Sequence, residues 1–238
     1  MLTLGAAAAV ATAQIPDTSG RASITIRVVN PPPAPADTPL IHRLPPGAPL
    51  LLELTKQSRR ISPETLLVYS AMTGRAWPYA GKALDTTFES LFQPFYSRLA
   101  FPHDEPQLFA TDRFVLDPQH IGYLLRVPGT YESSQIDLWV YDARQMRFSP
   151  PIRLAESWGD EGCGYDLESL LIRTEDGRLD LILHQNTGCS DMETGKVMSN
   201  VDSLWTRTWA TREFAAPRVS SDSMLFRLLD TQRRRFNR

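Results

Sequence analysis

The chain has 238 residues and a formal net charge of −2, from 25 basic and 27 acidic side chains. That balance excludes the strongly basic kind of phosphate-backbone binder, while a hydrophobic content of 42% suffices for the core of one β-rich domain. No run approaches the roughly 18 consecutive apolar residues that a membrane-spanning helix requires.

Residues 1–13 read as a signal peptide. An Ala-rich apolar stretch ends in Ala11-Thr12-Ala13, an Ala-x-Ala cleavage pattern, although the basic segment that normally precedes it is missing. A periplasmic or secreted location is therefore expected, and no cysteine follows that could carry a lipid anchor. Residues 14–49 form an expected extended arm. Ser23–Val29 alternates like a strand, and Pro31-Pro32-Pro33-Ala34-Pro35 then imposes polyproline character.

Residues 50–219 are expected to form the β-rich domain. Leu50–Leu54 and Leu66–Ser70 read as short strands. Thr86–Leu99 carries Phe88, Leu91, Phe92, Phe95 and Leu99 near helical spacing, but Pro94 breaks it into a short helix or two turns. Strand patterns follow at Arg113–Leu116, Ile121–Val127, Ile136–Tyr141, Met146–Phe148, Ile152–Leu154, Leu167–Arg173, Leu179–His184 and Ser203–Trp209, with Arg212–Phe214 after them. Turn signals every eight to twelve residues or so point to a propeller or a β-sandwich. Residues 220–238 read as a C-terminal helix capped by Ser220–Ser223, with an apolar stripe at Met224, Leu225, Leu228 and Leu229.

Cys163 and Cys189 are the only cysteines. In an exported protein an even count favours a disulfide, which would stabilise the fold by about 3–4 kcal/mol in the chain-entropy picture. Two buried free thiols are the alternative. Trp139, Trp158, Trp205 and Trp209 fall on or beside strands and are expected in the core, whereas Trp77 sits in a Pro- and Tyr-rich stretch and is a candidate exposed platform.

The segment Asp176-Gly177-Arg178-Leu179-Asp180-Leu181 places a turn between two apolar runs. It resembles the hairpin of FG-GAP and VCBS repeats, found in some β-propellers, whose turn binds calcium through side-chain oxygens. Taken with Trp158–Gly162, the remainder of Leu167–Leu183 and Asp202–Trp209, it is similar to periplasmic propeller-like proteins. Some of these are immunity proteins that inhibit secreted peptidoglycan hydrolases. The resemblance implies a mainly β, propeller-like fold and a protein partner. The calcium pattern is degenerate here: Ile172 and Thr174 occupy ligand positions, leaving Asp176 and Asp180, well short of the six to eight oxygens calcium takes. No cofactor is therefore expected, with calcium at Asp176 and Asp180 the alternative.

Two loops are candidate partner-binding surfaces. One is Pro128–Ser134, where Tyr131, Glu132 and Ser133 offer an aromatic contact with adaptable polar neighbours. The other surrounds Asp160 and Glu161. Glu156, Asp166, Glu168, Asp191 and Glu193 lie near in sequence and could steer a basic protein; paired carboxylates for glycoside hydrolysis are the remote alternative. No nucleophile elbow, phosphate loop, short zinc spacing or CxxC pair occurs, so a non-enzymatic role is expected. The leading expectation is a periplasmic binding or inhibitory protein of the immunity type, acting on a secreted hydrolase. A cell-envelope structural or carbohydrate-binding module is the alternative. Neither nucleic acid nor a membrane span enters either reading.

Overall fold

A computed structural model describes residues 49–70, 77–97, 107–128, 134–210 and 212–236. The signal peptide, the Ser23–Val29 strand and the proline-rich run lie outside these residues, as do Tyr131, Glu132 and Ser133.

The described chain is mainly β. Helix α1 (Pro49–Gln57) leads into β1 (Arg59–Arg60), β2 (Thr65–Val68), β3 (Lys82–Leu84) and a 3-10 helix at Thr86–Phe92. The long strands follow: β4 (Leu108–Asp117), β5 (His120–Pro128), β6 (Ser134–Asp142), the short β7 (Arg147–Phe148), β8 (Ile152–Asp160), β9 (Cys163–Arg173), β10 (Leu179–Ser190) and β11 (Val197–Ala210). Then come β12 (Glu213–Phe214), β13 (Arg218–Val219) and helix α2 (Ser223–Phe236). One hydrogen-bonded path runs β1-β4-β5-β6-β8-β9-β10-β11-β12, antiparallel except for β1 beside β4.

Strand β8 serves two neighbours in turn. Ile152–Ala155 pair with β6, and Glu156–Asp160 pair with β9. The sheet therefore turns at β8, and its two stretches meet in an apolar layer. Phe114, Leu124, Leu138 and Val140 from the first pack with Leu171, Leu179 and Leu181 from the second. Alternation along β5 and β6 sends the other set of side chains outward: Tyr123, Leu125, Trp139 and Tyr141 pack beneath α1 and the 3-10 helix. Both strands are thus buried on both faces, which is why they read as almost unbroken apolar runs. On the far side of β9–β11, Leu170, Ile182 and Leu204, with Leu67 of β2 paired beside β9, pack against α2 through Leu229.

The first correction concerns Leu50–Leu54, which is helical and not a strand. Three successive leucines at 50–52 carry no period by themselves, and Glu53 before Leu54 adds little. Pro49 occupies the first helical position, where its fixed φ and missing N–H cost nothing, and Leu51, Leu54 and Thr55 recur on the buried face. The Thr55 hydroxyl shares a 2.8 Å hydrogen bond with the Tyr123 hydroxyl, tying α1 to β5. Asp85 caps the 3-10 helix by accepting from the Thr87 N–H at 2.9 Å, and the helix stops at Gln93, ahead of Pro94.

The tryptophans are corrected in both directions. Trp77 is half-buried, donates to the Tyr69 carbonyl at 3.1 Å and meets the Tyr79 ring edge-on, so it offers no open platform. Trp139 is a core residue and Trp205 and Trp209 are half-buried, but Trp158 is exposed.

Leu171 is wholly buried between the two stretches of sheet. Leu171→Ala should destabilise the fold by about 2–5 kcal/mol. Urea unfolding measures this, and a loss within error of zero would show that the layer is not a packed core.

Candidate functional site: a disulfide-bound finger

Beyond the core, the outer parts of β8–β11 continue as a four-stranded projection, or finger. Its register is continuous: Trp158 lies opposite Tyr165, Tyr165 opposite Thr187, and Thr187 opposite Val201. The sequence here is rich in Gly, Asn, Ser and Asp, and little of it is buried.

Local chemistry holds the finger in shape. At the β8–β9 turn Glu161 and Gly162 adopt φ values of 47° and 82°, both in the left-handed region that a tight two-residue hairpin demands. Gly162 has a second reason to be glycine: a Cβ there would sit 2.5 Å from the Ser190 carbonyl oxygen. That close approach allows the Ser190 N–H to donate to the Gly162 carbonyl at 2.8 Å, linking the two hairpin tips. Cys163 and Cys189, opposite one another on β9 and β10, form the disulfide. At the β10–β11 turn the Asp191 carboxylate accepts from the Thr194 N–H at 2.7 Å and from its hydroxyl at 2.6 Å.

The finger concentrates features that are scattered elsewhere. Met192, Val197, Met198, Val201 and Trp158 are 77%, 63%, 72%, 58% and 37% exposed. Among the described residues no other stretch gathers so many large apolar side chains in solvent. Trp158 stacks on Tyr165 at 5.6 Å. Residues 157–166 and 186–202 also hold six carboxylates (Asp160, Glu161, Asp166, Asp191, Glu193 and Asp202) against the single ammonium of Lys196. The whole chain carries only −2, so its negative charge is localised here. On the face that continues beneath α2, Ser157, Gly164, Asp166, Asn186, Gly188 and Asn200 line a trough of about 510 Å³.

At the base of the finger lies a buried network that the sequence reading missed. His184 Nδ1 is 3.2 Å from Glu168 Oε1, and its Nε2 is 2.7 Å from Asp202 Oδ1. Arg233 of α2 donates its Nε to Glu168 Oε2 at 2.7 Å, and its Nη2 lies 3.2 Å from His184 Nδ1. Phe226 packs edge-to-face on the imidazole. The hydrogen bond to Glu168 is the strongest influence on His184 and, with that to Asp202, outweighs burial, so the imidazolium persists above the ordinary value of 6.5. Burial works to raise Glu168, but His184 and Arg233 hold it below the ordinary carboxylate range. The Asp166 carboxyl is pushed up, first by desolvation and then by the charge of Glu168.

The acidic residues grouped in the sequence divide between the sheet faces. Glu156 accepts from Gln135 and Arg153, both at 2.7 Å, whereas Asp166 and Glu168 project from the opposite face of β9, where α2 packs. The sheet therefore separates Glu156 from Asp166 and Glu168, while those two share a face. Asp160 and Glu161 sit at the fingertip. Asp176 accepts from the Thr174 hydroxyl and, at 3.3 Å, from the Arg178 N–H, so it shapes its own turn. Asp180 accepts from the Thr208 hydroxyl at 2.7 Å. Among the described residues no group of three or more His, Cys, Asp or Glu side chains is arranged to hold a metal.

The raised His184 value fixes the sign of a pH effect. Its contribution to folding is full below pH 6.5 and is lost as pH rises through the folded-state value. The lowered values of Glu168 and Asp202 act oppositely, their contribution being lost as pH falls through their folded-state values. Unfolding followed between pH 6 and pH 9 or so should show a declining stability that flattens in His184→Asn. An equal slope in the variant would remove His184 as its source. The chain matches no protein-family model, no curated protein and no solved structure.

Proposed function

We propose that this protein is an exported, non-catalytic binding protein that captures a cationic protein through the finger, as an immunity-type inhibitor captures a secreted hydrolase. The observation that carries this reading is the combination of exposed apolar side chains and six carboxylates on one disulfide-braced projection. Apolar anchors surrounded by charge suit a protein interface: the anchors supply affinity, and the charge accelerates encounter with a partner of opposite sign. A disulfide suits an oxidising compartment, which agrees with the Ala-x-Ala pattern at residues 11–13. In this proposal Asp160 and Glu161 steer the approach, and Tyr131, Glu132 and Ser133 provide a second contact. For the arrangement of the sheet, the apolar layer shared by β4–β6 and β9–β11 favours a sandwich-like closure about β8 over a propeller.

The test is capture from the secreted and periplasmic fraction with oxidised protein, followed by kinetics on the recovered partner. Asp160→Lys/Glu161→Lys should lower the association rate about tenfold at low salt and leave dissociation little changed. Trp158→Ala should mainly speed dissociation. A captured partner indifferent to both substitutions would disprove the finger as the contact surface.

One observation favours a second reading, an envelope carbohydrate-binding module. The trough presents Ser157, Asp166, Asn186 and Asn200 over a floor containing Gly164 and Gly188, chemistry that suits ligand hydroxyl groups. Co-sedimentation with purified cell wall, lost in Asn186→Ala/Asn200→Ala, would establish it; failure to co-sediment would remove it.

A further inference from the structure

Strand β11 is bonded on one side by β10 along most of its length. Its other side is met by β13 at Trp205 and Thr206 and by β12 at Trp209 and Ala210. From Val197 to Ser203 that side has no strand partner among the described residues, and every side chain from Val197 to Asp202 is exposed. A strand edge of this kind presents unpaired N–H and C=O groups as a template for another chain.

The direction of those groups follows from the register. Cys163 and Cys189 lie opposite each other with Cα atoms 4.0 Å apart, the close spacing of an antiparallel pair that exchanges no backbone hydrogen bonds. Cys189 therefore turns its N–H and C=O toward β11, where it meets Ser199. By alternation Ser199, Val201 and Ser203 bond to β10, and Asn200 and Asp202 turn their backbone groups outward. Two contacts farther along agree with this parity. The Leu204 carbonyl accepts from the Ser220 N–H at 2.8 Å, and the Thr208 carbonyl accepts from the Ala215 N–H at 2.9 Å, both on the side away from β10.

The two faces of this edge differ. Val201 lies in register with Thr187 and, beyond it, Tyr165 and Trp158, whereas Asp202 lies in register with Asn186 and, beyond it, Asp166. A strand laid along it would meet the Val201 side chain on one face and the Asp202 carboxylate on the other. We propose that the free edge of β11 is a β-addition site for an extended peptide segment with alternating cationic and apolar residues. The backbone groups of Asn200 and Asp202 would hold it, its cations would lie beside Asp202, and its apolar side chains would lie beside Val201. A second copy of this chain is the poorer occupant, because pairing edge to edge would bring two acidic fingers together. The inference rests on the reading of the finger as the partner-binding surface and names the chemistry of the segment it binds.

The test uses the full oxidised chain and a lysine–valine alternating peptide of about eight residues, a typical strand length, read by fluorescence anisotropy. The peptide is expected to bind, and a glutamate–valine counterpart is not. Asn200→Pro removes one outward N–H without touching the β10 ladder and should raise Kd about tenfold or more, while Asn200→Ala should stay within about twofold. The peptide methylated at alternate backbone nitrogens leaves the protein unaltered and should lose binding even if Asn200→Pro misfolds. Amide exchange at Asn200 and Asp202 should slow on binding. Equal binding by the methylated peptide, equal binding by the glutamate peptide, or edge-to-edge dimerisation of the chain would each overturn the inference. A protein partner that binds Asn200→Pro as it binds wild type but is lost in Asp160→Lys/Glu161→Lys would sink the edge site and leave the finger reading standing. Peptide binding as described, with no protein captured, would do the reverse.

Discussion

Leucines and aromatic residues of β4–β6 meet leucines of β9 and β10 in one buried apolar layer, and the cover that each sheet stretch needs on its other side follows from that contact. Because β5 and β6 contribute alternate side chains to it, their remaining side chains face away and need cover of their own. Helix α1 and the 3-10 helix supply that cover on one side. On β9–β11 the same logic applies in the opposite direction, and α2 closes the far face, which β2 extends beside β9. The layer ends where the apolar residues of β9 and β10 end, near Leu167 and Leu183. The strands do not end there, and the part that continues without a core is the candidate site.

A projection without a core needs other ties. Here they are the Cys163–Cys189 bridge, the glycine that lets Ser190 approach the neighbouring turn, and the Asp191 side chain that organises its own hairpin. All are short-range, and none requires apolar burial. This leaves Val201 and Met198 exposed to solvent. At the base, Arg233 and His184 join the last helix to the sheet through Glu168. With His184 neutral and protonated on Nε2, its Nδ1 is placed to accept from Arg233 instead of donating to Glu168. The network thus has a satisfied arrangement in either protonation state, although the charged one is preferred.

Much of the central fold is legible from alternation alone. Ile121–Val127, Ile136–Tyr141 and the pair flanking Asp176-Gly177 fall within β5, β6, β9 and β10. Leu50–Leu54 was ambiguous because a run of apolar residues has no period, and the helix depends on burial against β4–β6 that only the assembled sheet provides. The outer parts of β9, β10 and β11 fall outside the strand patterns of the sequence for a physical reason: Gly, Asn, Ser and Asp signal loops when judged locally. Here the disulfide and a continuous register extend the ladder through them. Asp160 and Glu161 were recognisable beside a cysteine and two glycines. The His184 network was not, since its partners Glu168 and Asp202 lie 16 and 18 residues away and converge only once β9, β10 and β11 align.

The divided pairing of β8 has a mechanical meaning. A tug on the fingertip directed along the strands is carried by a strand whose inner part is bonded to β6 and whose outer part is bonded to β9. Tension of that kind shears many hydrogen bonds at once instead of peeling them one at a time, and parallel loading of weak bonds is how a small sheet resists force. A partner drawing on the finger would therefore be pulling against the central layer itself.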